Sequence, residues 1–192
     1  IAMRDLEIRG AGNVLGAEQH GHMDRVGYEL YSKMLKEEIS GESASTAELD
    51  IKATAYIPEN YIESPAGRMD CYKQIAEIRT VADYKRVCFS IEENYGPMPN
   101  EVLNLLIIAV MKAYASRLQV SKIGVSSKAA YLEFSALSAL GDKKLRAAMD
   151  EYAQGIQVSM TSSPKINFMP RANPAKTMLE MTKFLKFAVS FT

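Results

Sequence analysis

The chain has no tryptophan, two cysteines and two histidines among its 192 residues, and each scarcity closes off a class of chemistry. Cys71 and Cys88 stand in no CxxC spacing and fall inside helical patterns, so two reduced, buried thiols of a cytosolic protein are expected rather than a disulfide framework. His20 and His22 form an HxH pair with no further His and no Cys nearby. Two loop histidines are the expectation, with neither a metal centre nor a Ser/His/Asp relay to draw on. Charge of one sign is lacking too: Lys+Arg and Asp+Glu are 23 each. No global positive field gathers nucleic acid, so any DNA contact must be local or completed by other parts of a longer protein. No apolar run approaches the roughly 20 residues of a membrane span. A GxxxxGK[ST] phosphate loop is missing as well, which leaves no visible means of holding ATP. The chain opens on Ile1 in the middle of a pattern, as a fragment cut from something longer would.

What is present is an ordinary globular composition, 47% hydrophobic and 24% charged, long enough for one sizeable core and an appendage. Glycine is unevenly spread: Gly10, Gly12, Gly16, Gly21 and Gly27 are five of the eleven. Such density implies a backbone that turns sharply or must come close to something a side chain would block. Arg4, Asp5, Glu7 and Arg9 precede these glycines, and Asn13, Glu18, Gln19 and His20 lie among them, so residues 4–21 are expected to form a functional loop. Gly10, Gly12 and Gly16 invite comparison with a dinucleotide fingerprint, but no strand, helix, strand unit follows and no acidic residue closes a second strand. Arg4 and Arg9 are suited to forked recognition of phosphate or carboxylate. Two roles stay open for them: ion pairs or phosphate contacts that change as the loop moves, or a static surface salt bridge.

Further along, 26–39 has the three-and-four spacing of an amphipathic helix, and 40–48 (SGESASTAE) has the composition of a connector. Strict alternation over 49–57 predicts a half-buried strand ended by Pro58. Helices are expected over 68–78 and 82–95, the second with Tyr84, Val87, Cys88, Ile91 and Tyr95 along one stripe and a stop at Gly96-Pro97. Asn100 is placed as the N-cap of a helix, 102–115, that is apolar on nearly every face and therefore central to the core. Two hairpins, 123–134 and 156–169, flank a helix from Asp142 to about Tyr152, and Pro174 introduces the last helix, 175–189. Hairpins in place of regular strand-helix alternation argue for an α+β fold: a mostly helical domain with a small, largely antiparallel sheet, preceded by the glycine-rich loop and one helix. The methionines at Met111, Met149 and Met178 are expected to fill gaps in the core. Many carboxylates lie along helix faces as solvated charge; Glu92 and Glu93, at a helix end, are either a solvated end of the same kind or the candidate acidic contacts for a partner.

The stretch RDLEIRGAGNVLGAEQHG resembles the translocation motif shared by RecG-type branch-migrating helicases and the bacterial transcription-repair coupling factors, both ATP-driven double-stranded DNA translocases. His20 departs from that pattern, which has a small polar residue there. ELDIKATAYIPENYI, RMDCYKQIAEIRT and EENYGPMPNEVLNLL are similar to the C-terminal domain that only the coupling factors carry. The resemblance implies three parts: 1–39, the end of a motor lobe with the motif and its following helix; 40–48, a linker; and 49–192, a C-terminal α+β regulatory domain. It implies that Arg9 and Gln19, with Arg4 as companion, couple ATP hydrolysis to stepping along duplex DNA. ATP and Mg are expected in the full-length protein, with no cofactor in this part of it. The C-terminal domain is implied to be non-catalytic, packing against an N-terminal UvrB-like region and covering the UvrA-binding surface until RNA polymerase is engaged. A cytoplasmic location follows, with no membrane partner. Two other possibilities are a nucleotide-binding enzyme using the 10–16 glycines, and a RecG-like helicase whose extension binds DNA.

Overall fold

β1 (Glu48–Ile51) is the first element of residues 47–190, the part of the chain described by the computed structural model. It is followed by α1 (Pro65–Ala76), α2 (Val81–Tyr95) and α3 (Asn100–Ala115), then by the hairpin β2 (Val120–Val125) and β3 (Ala130–Phe134). α4 (Lys143–Glu151), the hairpin β4 (Ile156–Ser159) and β5 (Lys165–Phe168), and α5 (Pro174–Ser190) complete the α+β fold. The five strands form one sheet in the order β1-β2-β3-β5-β4. Every pairing is antiparallel except β1 with β2, which is parallel, as the long crossover through three helices between them allows.

The strand expected over 49–57 stops at Ile51, although its alternation persists. The Lys52 amide donates to the Val125 carbonyl at 2.7 Å, and β2 ends there, so β1 runs out of partner. Helix side chains then take over. Asn104 donates to the Thr54 carbonyl at 2.9 Å and the Tyr72 hydroxyl accepts from the Ile57 amide at 2.9 Å. Ala55 and Ile57 are buried as the alternation requires, without a ladder.

α1 begins three residues before its expected start because Ser64 caps it, accepting from the Gly67 amide at 3.2 Å, and Pro65 fits the first helical position. Asn100 is not the cap of α3. Pro99, in extended conformation, takes that place, its carbonyl accepting from the Val102 and Leu103 amides, and Asn100 is already helical. α3 is the centre of the core: Val102, Leu105, Leu106, Met111 and Ala115 are fully buried. It packs beside α5 and meets α1 and α2, while α4 rests on α5.

Ile123, Leu132 and Ile166 point from the sheet into this core with no exposed surface. Phe184 lies edge-on to both Phe168 and Tyr152, joining α5 to the sheet and to the end of α4. Met111 and Met178 are core residues and Met149 is partly buried at the margin of the core, whereas Met160 and Met169 are 70% and 65% exposed.

The opposite sheet face is polar and charge-balanced, with Lys122 paired to Glu48 at 2.8 Å and Lys165 to Glu133 at 3.1 Å. Gly124 pairs with Tyr131 across β2 and β3, and the Tyr131 ring lies over it. A Cβ at residue 124 would come within 2.2 Å of that ring, so close approach, not backbone angle, requires glycine. Lys165 Nζ stands 4.8 Å from the centre of the same ring.

One buried cation fastens the irregular connection after β1. Arg68, 9% exposed, donates to the Ile62 carbonyl at 2.9 Å, the Glu63 carbonyl at 3.0 Å and the Glu59 carboxylate at 3.1 Å. Two carbonyls that no strand or helix satisfies are thereby paired.

Candidate functional site

The loop residues named for translocation, Arg4, Arg9 and Gln19 with Gly10, Gly12 and Gly16, lie outside the described residues, as do His20 and His22. Glu92 and Glu93 are described, and both are exposed on the last turn of α2.

α2 is fixed at both ends. Thr80 and Asp83 form a reciprocal capping box, the Thr80 hydroxyl accepting from the Asp83 amide at 3.1 Å and Asp83 accepting from the Thr80 amide at 3.0 Å. The Thr80 hydroxyl and the Arg79 amide, the leading donors to the Asp83 carboxylate, hold its pKa below the usual aspartate value. At the other end Gly96, at φ 81, returns its amide to the Glu92 carbonyl at 2.9 Å. Val87 and Ile91 bury the inner stripe.

Glu92 and Glu93 sit at the negative pole of the helix dipole, and no basic residue occupies that last turn. Two carboxylates there repel each other and the helix end, a local disadvantage that a cationic partner would relieve.

Beneath them lies a layer of hydroxyls and thiols. The Tyr61 hydroxyl donates to the Gly96 carbonyl at 2.8 Å, and its ring is 6.3 Å from that of Tyr95. Tyr95 neighbours the Cys71 thiol and Tyr84 the Cys88 thiol. Burial, helped by the neighbouring Glu92 charge, pushes the Tyr84 hydroxyl up to about 12 and raises Tyr61 and Cys88. Cys71 is buried as expected; Cys88 is only half-buried, because it stands at the margin of the stripe that Val87 and Ile91 bury. These groups are protonated near neutrality and serve as packing, not as nucleophiles.

One member of the acidic surface is not among the sequence candidates. Phe89 is 68% exposed, in the middle of the outward face of α2, between Lys85 and Arg86 on one side and Glu92 and Glu93 on the other. The signal was in the chain: Phe89 lies off the apolar stripe of Tyr84, Val87, Cys88, Ile91 and Tyr95.

Among the described residues no group of three or more His, Cys, Asp or Glu could hold a metal ion. No described helix is long and apolar enough to cross a membrane.

A mixed five-stranded sheet packed against helices defines a small α+β domain. Its fold is that of a solved structure, the crystal structure of the C-terminal domain of a transcription-repair coupling factor, with a TM-score of 0.68, 17% identity, and coverage of 76% of this chain and 92% of that one. The profile of the TRCF domain matches residues 51–145. The transcription-repair-coupling factor of Bacillus subtilis is 37% identical across 97% of the chain, and that of Borreliella burgdorferi is 34% identical across 76%. The chain belongs to the transcription-repair coupling factor family. It spans 17% and 13% of the lengths of those two relatives.

Proposed function

We propose that the chain is the C-terminal part of an ATP-driven double-stranded DNA translocase that displaces stalled RNA polymerase and brings in nucleotide excision repair. The observation that carries this is the 37% identity with a transcription-repair-coupling factor, which runs through both the glycine-rich motif and the α+β domain. Arg4, Arg9 and Gln19 belong, on this proposal, to the motif that couples hydrolysis to stepping. ATP and Mg act in motor lobes that precede it.

Residues 49–192 are the regulatory part, a non-catalytic clamp that covers the UvrA-binding surface of the N-terminal UvrB-like region. Glu92 and Glu93 supply its acidic contacts. Their exposure and their unfavourable place at the negative end of α2 support that role. The charge-balanced sheet face supports a protein partner over DNA, since phosphate binding needs cations free of carboxylate partners.

The test adds residues 49–192 in trans to a coupling factor lacking its own C-terminal domain and measures UvrA recruitment. Recruitment should fall, and should recover when E92K/E93K is used instead. No fall with the unsubstituted domain removes the clamp proposal; a fall that E92K/E93K leaves intact removes these two residues from it.

A further inference from the structure

The outward face of α2 is arranged symmetrically about Phe89. Lys85 and Arg86 lie four and three residues before it, Glu92 and Glu93 three and four residues after it, and all five side chains are on the exposed side of the helix. With about 3.6 residues per turn, Lys85 and Glu92 fall on one flank of the Phe89 stripe and Arg86 and Glu93 on the other, each pair about two turns apart. A two-fold axis through Phe89 brings an antiparallel second helix into register. Lys85 then meets Glu92 of the second copy, Arg86 meets Glu93, and the two Phe89 rings meet at the centre, with the same contacts repeated in reverse.

We infer that this face self-associates: the partner it fits is a second copy of the chain, docked α2 against α2 in antiparallel fashion. Charge complementarity selects this occupant. A face that places its cations and its anions at equal distances on opposite sides of an exposed aromatic is complementary to itself, the condition for an isologous interface. Each acidic helix end would also gain the cations that its own last turn lacks. Arg86 already contacts Asp83 of its own helix at 3.0 Å, an exposed pair weak enough to be shared or exchanged. A single helix crossing is smaller than a standard stable interface, which puts the dimer in the weak, salt-sensitive class. The inference stands on the symmetry of the face and does not rest on the clamp proposal. The same face cannot serve both contacts at once, so self-association and docking would exclude each other.

Sedimentation equilibrium of the 192-residue chain at submillimolar concentration and low salt tests it. The parent should form a dimer that weakens as salt rises, and F89A should weaken it by about ten-fold or more, as loss of a central aromatic anchor does. K85E/R86E and E92K/E93K should each be monomeric alone. Mixed, they should form a heterodimer at least as tight as the parent dimer, because every facing pair is again opposite in sign; this also shows that both variants are folded. A monomeric parent, a dimer indifferent to F89A, or two variants that stay apart on mixing would each overturn the inference.

Discussion

Gly124→Ala is the substitution whose outcome the structure constrains most tightly. The added Cβ would come within 2.2 Å of Cε1 and 2.3 Å of Cζ of Tyr131, so the ring must leave its place over β2. Forcing an extra carbon into a filled site costs about 1–3 kcal/mol. Displacing the ring also loosens its contact with Lys165, of a kind valued at roughly 0.5–1 kcal/mol. Against this, Ala is favoured over Gly within a regular element by roughly 0.5–1 kcal/mol. The last two contributions cancel, so the net expectation is a loss of about 1–3 kcal/mol. In a Tyr131→Ala background the obstacle is gone and only the backbone advantage remains, so Gly124→Ala should there be neutral or stabilising by about 0.5 kcal/mol. Urea unfolding of the parent, both single variants and the double variant, followed by circular dichroism, measures the coupling directly. Equal destabilisation by Gly124→Ala in both backgrounds would refute the account of why glycine is needed.

Arg68→Ala should destabilise by about 2–3 kcal/mol, since hydrogen bonds from a charged donor are lost and the buried Ile62 carbonyl is left unpaired; Arg68→Lys should rescue only part, since one nitrogen of the guanidinium holds both carbonyls while the other holds the Glu59 carboxylate, and Lys has no second nitrogen. Thr80→Ala should cost about 1 kcal/mol in thermal unfolding, with the loss confined to folding and not to helix packing. Cys71, Cys88 and the tyrosines at 61, 72, 84, 95 and 114 all have raised pKa values, so the folded state holds their protons more tightly than the unfolded one. Their contribution is complete below the ordinary thiol value of 9.0 and is lost as pH rises through the folded values toward about 12, so the melting temperature should fall along that alkaline limb. Over the same range Cys71 should resist alkylation longer than Cys88, which is only half-buried.

Among the described residues the helices and hairpins were legible because periodicity and capping chemistry are local. α3 could be placed at the centre from its continuous apolar surface, and the stop after Tyr95 from Gly96-Pro97. The sheet edge was less so. Alternation over 49–57 correctly predicts which side chains turn inward at Ala55 and Ile57, but the ladder ends where β2 ends, and no residue in 49–57 encodes the length of a strand some seventy residues away. Asn100 satisfies the usual rule for a cap, yet Pro99 takes the position because its extended backbone already sets the first turn. At the candidate surface, Glu92 and Glu93 could be found as charge at a helix end. Phe89 lies off the apolar stripe of α2, a signal present in the sequence, but how far its ring is exposed depends on where α1 and α3 lie, which one helix's sequence does not state.

β1 joins the domain to everything that precedes Glu48, and it does so as an outer strand running parallel to β2. That placement gives the joint a directional mechanics. A pull along the strand from its N-terminal end loads the β1–β2 hydrogen bonds together, in shear, and the force passes into the centre of the sheet. A pull across the strand instead concentrates on the pair Glu48 and Lys122, and then unzips the remaining bonds one after another. The domain would therefore hold as a tether under lengthwise tension and release its first strand under sideways tension, with the direction of load, rather than its size alone, deciding which.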